Sequence, residues 1–331
     1  MGLSSSGIGS GLDVESIVTS LMNVEKKPLT AVANAKTAYQ SQISAYGTLK
    51  STLSTFQTAV SALSSTAKFN AQTVNSGNAT VFTATVNGTA SLGDYAVTVN
   101  QLAKSQKLSS VGFTNTTDTV GTGTLTIGFG TYNSTGNTFT PNAAKTDLTI
   151  TIDSSNNTLA GVRDAINAKN ASVNATIVND GTTNRLVITS KDTGEVNSLK
   201  ISVADGSDAS NTDTSGLSRL AFDPNATAGS GKNMTQVQAA KNALLDIDGI
   251  SIVKPSNTVI DAISGVTLNL LSTSATSANL GIVTNTESIK TSVTAFVDAY
   301  NKLDTSLRSL TKYDETGKSS GALLGDATAR S

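Results

Sequence analysis

The chain has 331 residues, a formal net charge of -1 and 14% charged side chains, and it contains neither cysteine nor histidine. Without those two residue types there are no thiolate or imidazole metal sites, no disulfides, and no Ser-His or Cys-His catalysis. The near-zero charge leaves no basic field for nucleic acid. We therefore expect two or three domains, no cofactor and no enzymatic activity.

The N-terminal region begins with small polar residues that predict disorder in the free chain. An amphipathic stripe follows, and Ser10 or Asp13 would cap the helix it predicts. Pro28 predicts an interruption, so we expect a short helix, a break, and a long helix from about residue 30 to 67. The apolar stripe of the first helix consists of Leu12, Val14, Ile17, Val18 and Leu21.

Two heptad patterns lie far apart in the sequence, and each predicts a helix with an apolar seam. The seams are interpreted either as partners of each other within one chain or as contacts between subunits. The first seam contains one skipped residue and consists of Ile43, Tyr46, Leu49, Leu53, Phe56, Val60 and Leu63. The second seam consists of Ile289, Val293, Phe296, Tyr300, Leu303, Leu307 and Leu310.

The residues between the seams are rich in Thr, Ser, Asn, Ala and Gly, and their polar–apolar alternation predicts β-structure. One segment, residues 158–169, shows helical spacing instead, and residues 204–235 are expected to form a long loop. Thr284 and Glu287 predict a capping box before the C-terminal helix. The predicted strands cover residues 80–86, 94–102, 125–129, 148–152, 175–178, 185–189, 199–203, 243–247, 250–253, 266–271 and 278–283.

Pairing of the two seams would bring the ends of the β-rich region together and nest its segments. The expected fold class is α+β multidomain, with a helical, coiled-coil-like stalk and two nested β-rich head domains. The expected division is an N-terminal leg (1–38), disordered when free, a helical stalk domain (39–70 and 286–331), an inner head domain (71–107 and 236–285) and an outer inserted head domain (108–235).

Three weaker patterns favour ordinary structural roles. The glycines of residues 7–11 lack the preceding strand and following lysine of a phosphate loop, so a flexible arm is expected. Asp205, Asp208 and Asp213 lack the spacing and terminal glutamate of a calcium-binding EF-hand. No secretory signal peptide and no run of apolar residues long enough for a membrane span is present.

The segment GIGSGLDVESIVTSLMNVEKKPL (Gly7–Leu29) resembles the opening of the bacterial flagellar filament cap proteins, the hook-associated protein 2 family. Residues 240–271 and 295–307 resemble that family's later segments, and the Ile166-Asn167 pair resembles a motif of flagellin and hook proteins. Members of the family continue well past this chain's last residue, so the chain resembles a cap protein that lacks the C-terminal part.

The resemblance implies a secreted structural subunit at the flagellum tip, where flagellin folds and inserts beneath a ring of cap subunits, commonly a pentamer. It also implies an export chaperone and export through the flagellar type III route. In this interpretation the N-terminal apolar stripe contacts the filament. The alternatives are an adhesin that binds host glycans through the head domains, and a flagellin or hook-junction subunit.

Overall fold

The computed structural model describes residues 13–169, 172–208, 210–316 and 319–329. The chain divides into two compact units. The first, here called the helical unit, comprises Met1–Ala71 and Asn285–Ser331, and the second, here called the β unit, comprises Gln72–Thr284. The four α-helices of the described residues are α1 (Val14–Leu63), α2 (Thr66–Phe69), α3 (Leu159–Ala168) and α4 (Thr286–Thr311).

Helix α1 is one continuous helix, so the predicted break at Pro28 is wrong. A proline inside a helix removes its own N–H bond to the carbonyl four residues earlier and crowds that carbonyl. Here that carbonyl belongs to Val24, which is exposed, so the freed carbonyl is not buried without a partner. The helix-favouring residues on both sides of Pro28 continue the helix. The cap is Asp13, whose carboxylate accepts a hydrogen bond from the Ser16 N–H at 3.0 Å.

Helix α4 is capped by Asn285, so the predicted capping box is also wrong. The Asn285 side chain accepts from the Ser288 N–H at 3.0 Å. Thr284 is instead the last residue of a β-strand. The Asn285 N–H donates to the Ala71 carbonyl at 2.8 Å, which joins the two ends of the helical unit where the β unit is inserted.

The β unit contains 18 strands among the described residues. They are β1 (Gln72–Ser76), β2 (Phe82–Val86), β3 (Gly93–Gln101), β4 (Lys107–Ser109), β5 (Gly123–Asn133), β6 (Thr138–Pro141), β7 (Leu148–Ile152), β8 (Val173–Asn179), β9 (Asn184–Ser190), β10 (Ser198–Asp205), β11 (Phe222–Ala228), β12 (Ser230–Lys232), β13 (Thr235–Gln238), β14 (Ala243–Ile247), β15 (Ile250–Lys254), β16 (Thr258–Val259), β17 (Val266–Leu270) and β18 (Ala278–Thr284).

One hydrophobic core of the β unit, here called the base core, is formed by residues 81–103 and 243–282. Its strands form a five-stranded sheet in the order β1-β18-β3-β14-β15 and a three-stranded sheet in the order β16-β17-β2. Strands β14 and β15 are joined by Asp248 and Gly249, which have φ values of 50° and 80°. An Asp-Gly pair tolerates positive φ at both positions, as a two-residue hairpin turn requires.

The second core, here called the insertion core, is formed by residues 108–234. It is enclosed by a six-stranded sheet (β12-β11-β10-β5-β6, with β7 also paired to β5), a four-stranded sheet (β13-β4-β9-β8) and helix α3. Helix α3 buries Leu159, Val162 and Ile166. The Asn167 side chain donates to the Ala175 carbonyl and accepts from its N–H, both at 2.8 Å. The Asn167 side chain therefore connects α3 to β8 through the same pair of hydrogen bonds that a residue of a neighbouring strand would form.

Residues 204–235 are more ordered than the predicted loop. They contain a 3-10 turn at Gly216–Leu220, followed by β11 and β12. The buried Asp205 carboxylate accepts backbone hydrogen bonds from Ser207 and Ser218, at 2.8 and 2.9 Å. The long loop predicted from composition is wrong because the polar residues here form turns around the buried Leu217, Leu220 and Phe222.

Among the described residues no helix has both the length and the apolar character that a membrane span requires.

Candidate interaction surfaces of the helical unit

Helices α1 and α4 pack against each other in antiparallel orientation. The end of α1 lies beside the start of α4, because Asn285 bonds to Ala71. Tyr46, well before the end of α1, donates a hydrogen bond to Asp326, which follows α4. The order of these contacts along both helices establishes the opposite chain directions.

Each helix contributes a column of large residues and a column of small residues to this contact. The large side chains are half-buried, whereas Ala45, Thr52, Ala59 and Ala299 are buried. Because interaxial distance depends on the side chains at the contact, the small column allows the helices to approach closely. The large columns are Leu49, Phe56 and Leu63 on α1, and Ile289, Phe296, Leu303 and Leu310 on α4; the small columns are Ala45, Thr52 and Ala59, and Ser292, Ala299 and Ser306.

The predicted seams therefore contain residues from two different faces of each helix. Half of the predicted residues belong to the large columns just described. The others lie one position beyond the small column or farther out, at the edge of the α1–α4 contact or outside it. Leu307 is half-buried, and the remaining ones are exposed: Ile43 (71%), Tyr46 (39%), Leu53 (53%), Val60 (38%), Val293 (44%) and Tyr300 (55%). Their proposed pairing with another subunit stays a prediction.

The aromatic residues of the contact are stacked on one another. The Phe56 ring lies 5.5 Å from the Phe296 ring and 6.1 Å from the Tyr300 ring, centroid to centroid, in tilted orientations. Tilted aromatic pairs at these distances stabilise a contact beyond the area they bury. Tyr300 thus touches the edge of the contact while most of its side chain remains exposed.

The segment after α4 folds back onto the helix pair. The Leu323 N–H donates to the Leu310 carbonyl at 2.8 Å, and the Leu323 side chain is buried. A Cβ atom at Gly321 would lie 2.2 Å from the Leu310 carbonyl oxygen, so only glycine fits. The hydrogen bond between Tyr46 and Asp326 raises the pKa of the Tyr46 phenol and lowers the pKa of the Asp326 carboxyl.

The predicted leg residues occupy the part of α1 that α4 does not reach. Leu12 lies outside the described residues, and Val14 is half-buried. Ile17, Val18 and Leu21 are 45%, 52% and 61% exposed. Every residue from 15 to 44 is exposed. Val14, Ile17, Leu21 and Val24 recur in steps of three and four residues, which places them on one side of this part of α1.

The small columns are the feature that the hydrophobic pattern missed. Alanine, serine and threonine carry too little apolar surface to stand out beside tyrosine, leucine and valine at the next position. The signal that identifies them is their recurrence at every seventh residue, at 45, 52, 59 and at 292, 299, 306.

The described part of the chain contains no group of three acidic side chains arranged to hold a metal ion. The aspartates considered for calcium instead accept hydrogen bonds within their own turns. Asp208 accepts from the Ser210 N–H at 3.0 Å, and Asp213 accepts from the Ser215 N–H at 3.2 Å.

The sequence matches two family descriptions, one near each end. "Flagellar hook-associated protein 2 N-terminus" matches residues 10–106, and "Flagellar hook-associated protein 2 C-terminus" matches residues 240–331. The flagellar hook-associated protein 2 of Escherichia coli K12 is 38% identical over 99% of this chain and 68% of its own length. The B-type flagellar hook-associated protein 2 of Pseudomonas aeruginosa PAO1 is 36% identical over 98% of this chain and 67% of its own length.

Solved structures agree with these relatives. The crystal structure of the D1-D2-D3 domains of the flagellar cap protein FliD from Escherichia coli superposes with a TM-score of 0.67 at 38% identity, covering 87% of this chain and 74% of that one. The structure of FliD from Pseudomonas aeruginosa PAO1 gives a TM-score of 0.56 at 34% identity, covering 72% and 99%. None of these relatives is described as a flagellin or an adhesin. The chain belongs to the flagellar hook-associated protein 2 family.

Proposed function

We propose that this chain is a structural subunit of the flagellar filament cap, that it assembles with copies of itself, and that flagellin is its partner at the filament tip. The match to curated hook-associated proteins along 99% of the chain carries this proposal. Catalysis and cofactors are no part of it. Export by the flagellar type III route, an export chaperone and a five-membered ring belong to the same proposal.

The physical support comes from the uncovered part of α1. A helix whose residues 15–44 are all exposed gains nothing from tertiary packing, and isolated helices are only marginally stable in water. Its apolar stripe needs a partner outside the described residues. Contact of this stripe with filament subunits would order the helix and attach the cap reversibly.

The proposal also assigns four parts to the chain: a leg (1–38), a helical domain (39–70 and 286–331), an inner β domain (71–107 and 236–285) and an outer β domain (108–235). The two separate cores of the β unit support the last two parts. The exposure of residues 15–44 supports a leg that acts separately from the helix pair.

The test is complementation of a flagellated bacterium whose own cap gene has been deleted. The unmodified chain should restore filaments, and the double variant Ile17→Asp with Leu21→Asp should not, because two charges would occupy the apolar stripe. The matched control is Thr19→Asp with Asn23→Asp, which adds the same charge to the polar side of α1. Filaments of normal length with the first variant would contradict the proposed contact.

Circular dichroism of both purified variants should match that of the unmodified chain, because neither change touches a core of the β unit. Absence of filaments with the unmodified chain, despite its export, would contradict the proposed function itself.

A further inference from the structure

We propose that the five-stranded sheet of the base core binds the corresponding sheet of a second copy of this chain, acidic end to basic end. This inference rests on the proposed function, since it names one contact by which cap subunits would join. The segments around this core, residues 72–107 and 236–284, contain four lysines and four aspartates and so have no net charge. Four of these charges, those of Lys104, Lys241, Asp94 and Asp248, are nevertheless separated by sign along the pair β3 and β14.

The basic end lies next to the end of β3 and the start of β14. Lys104 and Lys241 face each other across an antiparallel bridge, with reciprocal backbone hydrogen bonds of 2.9 and 3.0 Å. Like charges placed directly opposite each other in this way are destabilising. Among the ion pairs of the described residues, none involves either lysine. This uncompensated repulsion indicates a site for an anionic partner.

The two lysines line an open groove of about 380 Å³ that no carboxylate lines. Asn100, Ser272 and Thr273 contribute polar groups to it, and Leu271, which is 53% exposed, contributes an apolar surface. Asp246 accepts a hydrogen bond from Asn100 of the groove, and Glu195 accepts one from Asn242; neither carboxylate forms an ion pair with a lysine. The groove therefore combines two unpaired ammonium groups with one exposed leucine.

The acidic end lies at the opposite end of the same strands. Asp94 is near the start of β3, and Asp248 lies just beyond the end of β14. Both carboxylates accept hydrogen bonds from neutral groups, namely the Asn279 side chain for Asp94 and the Ala96 N–H for Asp248. At about 3.3 Å per residue, Lys241 and Asp248 are about 23 Å apart along the chain, and Lys104 and Asp94 are about 33 Å apart.

The turn at the acidic end also matches the apolar part of the groove. Ile250 directly follows the Asp248-Gly249 turn and is 68% exposed. An inserted turn would place its carboxylates beside Lys104 and Lys241 and its isoleucine on Leu271. A contact between two different ends of the same molecule is heterologous, and repetition of such a contact produces a ring when the rotation closes.

Charge complementarity at such a contact mainly increases the association rate and selects the partner. The test is self-association of the full-length protein, measured by sedimentation and native mass spectrometry at low and high salt. Lys104→Glu with Lys241→Glu should weaken association about tenfold or more at low salt. The matched control is Lys169→Glu with Lys191→Glu, the same charge change on exposed lysines around the insertion core, and it should behave like the unmodified chain.

The acidic end is tested with Asp94→Lys and Asp248→Asn, since asparagine keeps both the acceptor and the tolerance for positive φ at the turn. This pair of changes should also weaken association, and Ile250→Ser should do so to a smaller extent. Combining the acidic-end and basic-end changes in one chain should recover association, because the new glutamates would then meet the new lysine. Recovery in the fourfold variant cannot arise from misfolding.

Association that is equal for the basic-end variant and its control would overturn this inference, as would the absence of recovery or a chain that stays monomeric at every concentration. Filament complementation by the unmodified chain separates the two proposals. Filaments that form normally with the basic-end variant, together with unchanged association, would leave the cap function standing and remove only this contact.

Discussion

In the β unit most of the large apolar side chains lie inside two cores, whereas in the helical unit most of them remain exposed. Among the described residues of the helical unit, the fully buried apolar side chains are Ala45, Ala59, Ala299 and Leu323. The β unit buries phenylalanine, leucine, isoleucine and valine throughout both cores. The β unit therefore encloses most of its apolar surface, and the helical unit leaves much of its apolar surface uncovered.

The difference follows from how each unit is closed. Strands of the β unit pair with neighbours brought together from distant parts of the chain, and two sheets enclose each core. The helical unit has one helix of 50 residues and one of 26, so most of the longer helix has no partner among the described residues. A unit of this kind gains stability when it assembles.

The largest effect is expected from removing a core residue of the β unit. Phe222 is fully buried in the insertion core, and Phe222→Ala should reduce the free energy of unfolding by about 3–5 kcal/mol. Urea unfolding of the full chain, followed by far-UV circular dichroism, measures this loss. Val178→Ala is the control, because Val178 is 50% exposed on an edge strand and should change stability by about 0.5 kcal/mol or less. Equal losses in the two variants would show that the β unit is not closed as described.

A smaller effect is expected from enlarging the small column of the helix pair. Ala299 is buried, so Ala299→Leu should force the helices apart at a cost of about 1–3 kcal/mol. Thermal unfolding monitored by helical ellipticity, together with amide exchange of residues 45–63, reports this separation. Val297→Leu enlarges an exposed side chain on the same helix and should leave both measurements unchanged. Unchanged exchange in Ala299→Leu would mean that α1 and α4 do not approach through their small residues.

The start of α4 distinguishes the observed cap from the predicted one. Asn285→Ala removes the acceptor for the Ser288 N–H and should reduce stability by about 1 kcal/mol. Asn285→Asp keeps that acceptor and should retain the stability. Thr284→Ala should have a smaller effect, because Thr284 ends a strand and does not cap the helix. Amide exchange at Glu287 and Ser288 measures the effect of all three substitutions. Faster exchange in Thr284→Ala alone would favour the predicted capping box of Thr284 and Glu287.

The smallest effect is expected from pH. Hydroxyl and amide hydrogen bonds from Thr316 and Ser319 lower the pKa of Asp314 from 3.8 to about 2. Because the folded-state pKa is the lower one, this stabilisation is complete above pH 3.8 and disappears as the pH falls toward about 2. Amide exchange of Gly321 and Leu323 should accelerate over that range. Asp314→Asn should remove this part of the acceleration, and the same pH profile in both proteins would contradict the assignment.

Several elements could be predicted from local pattern because their physical cause is local. Strands β7 and β14 have the predicted bounds, since alternation over five residues reports burial on one side of a sheet. Helix α3 was evident from Leu159, Val162 and Ile166, which recur at helical spacing. The break predicted at Pro28 is wrong because a helix accommodates a proline where the freed carbonyl is exposed. The cap predicted at Thr284 is wrong because the preceding strand extends through that residue, so the helix is capped by Asn285.

The sequence by itself determined the α+β class, the absence of cysteine and histidine chemistry, and the family, since each depends on composition or on the order of residues along the chain. Only the tertiary structure decided which stripe of each helix faces the other, because small residues become a contact surface only when a second helix lies against them. It also decided that Lys104 lies opposite Lys241 at one end of a strand pair and that Asp248 bonds to Ala96 at the other. Residues more than 130 positions apart acquire a shared environment through strand pairing, and no local pattern reports that.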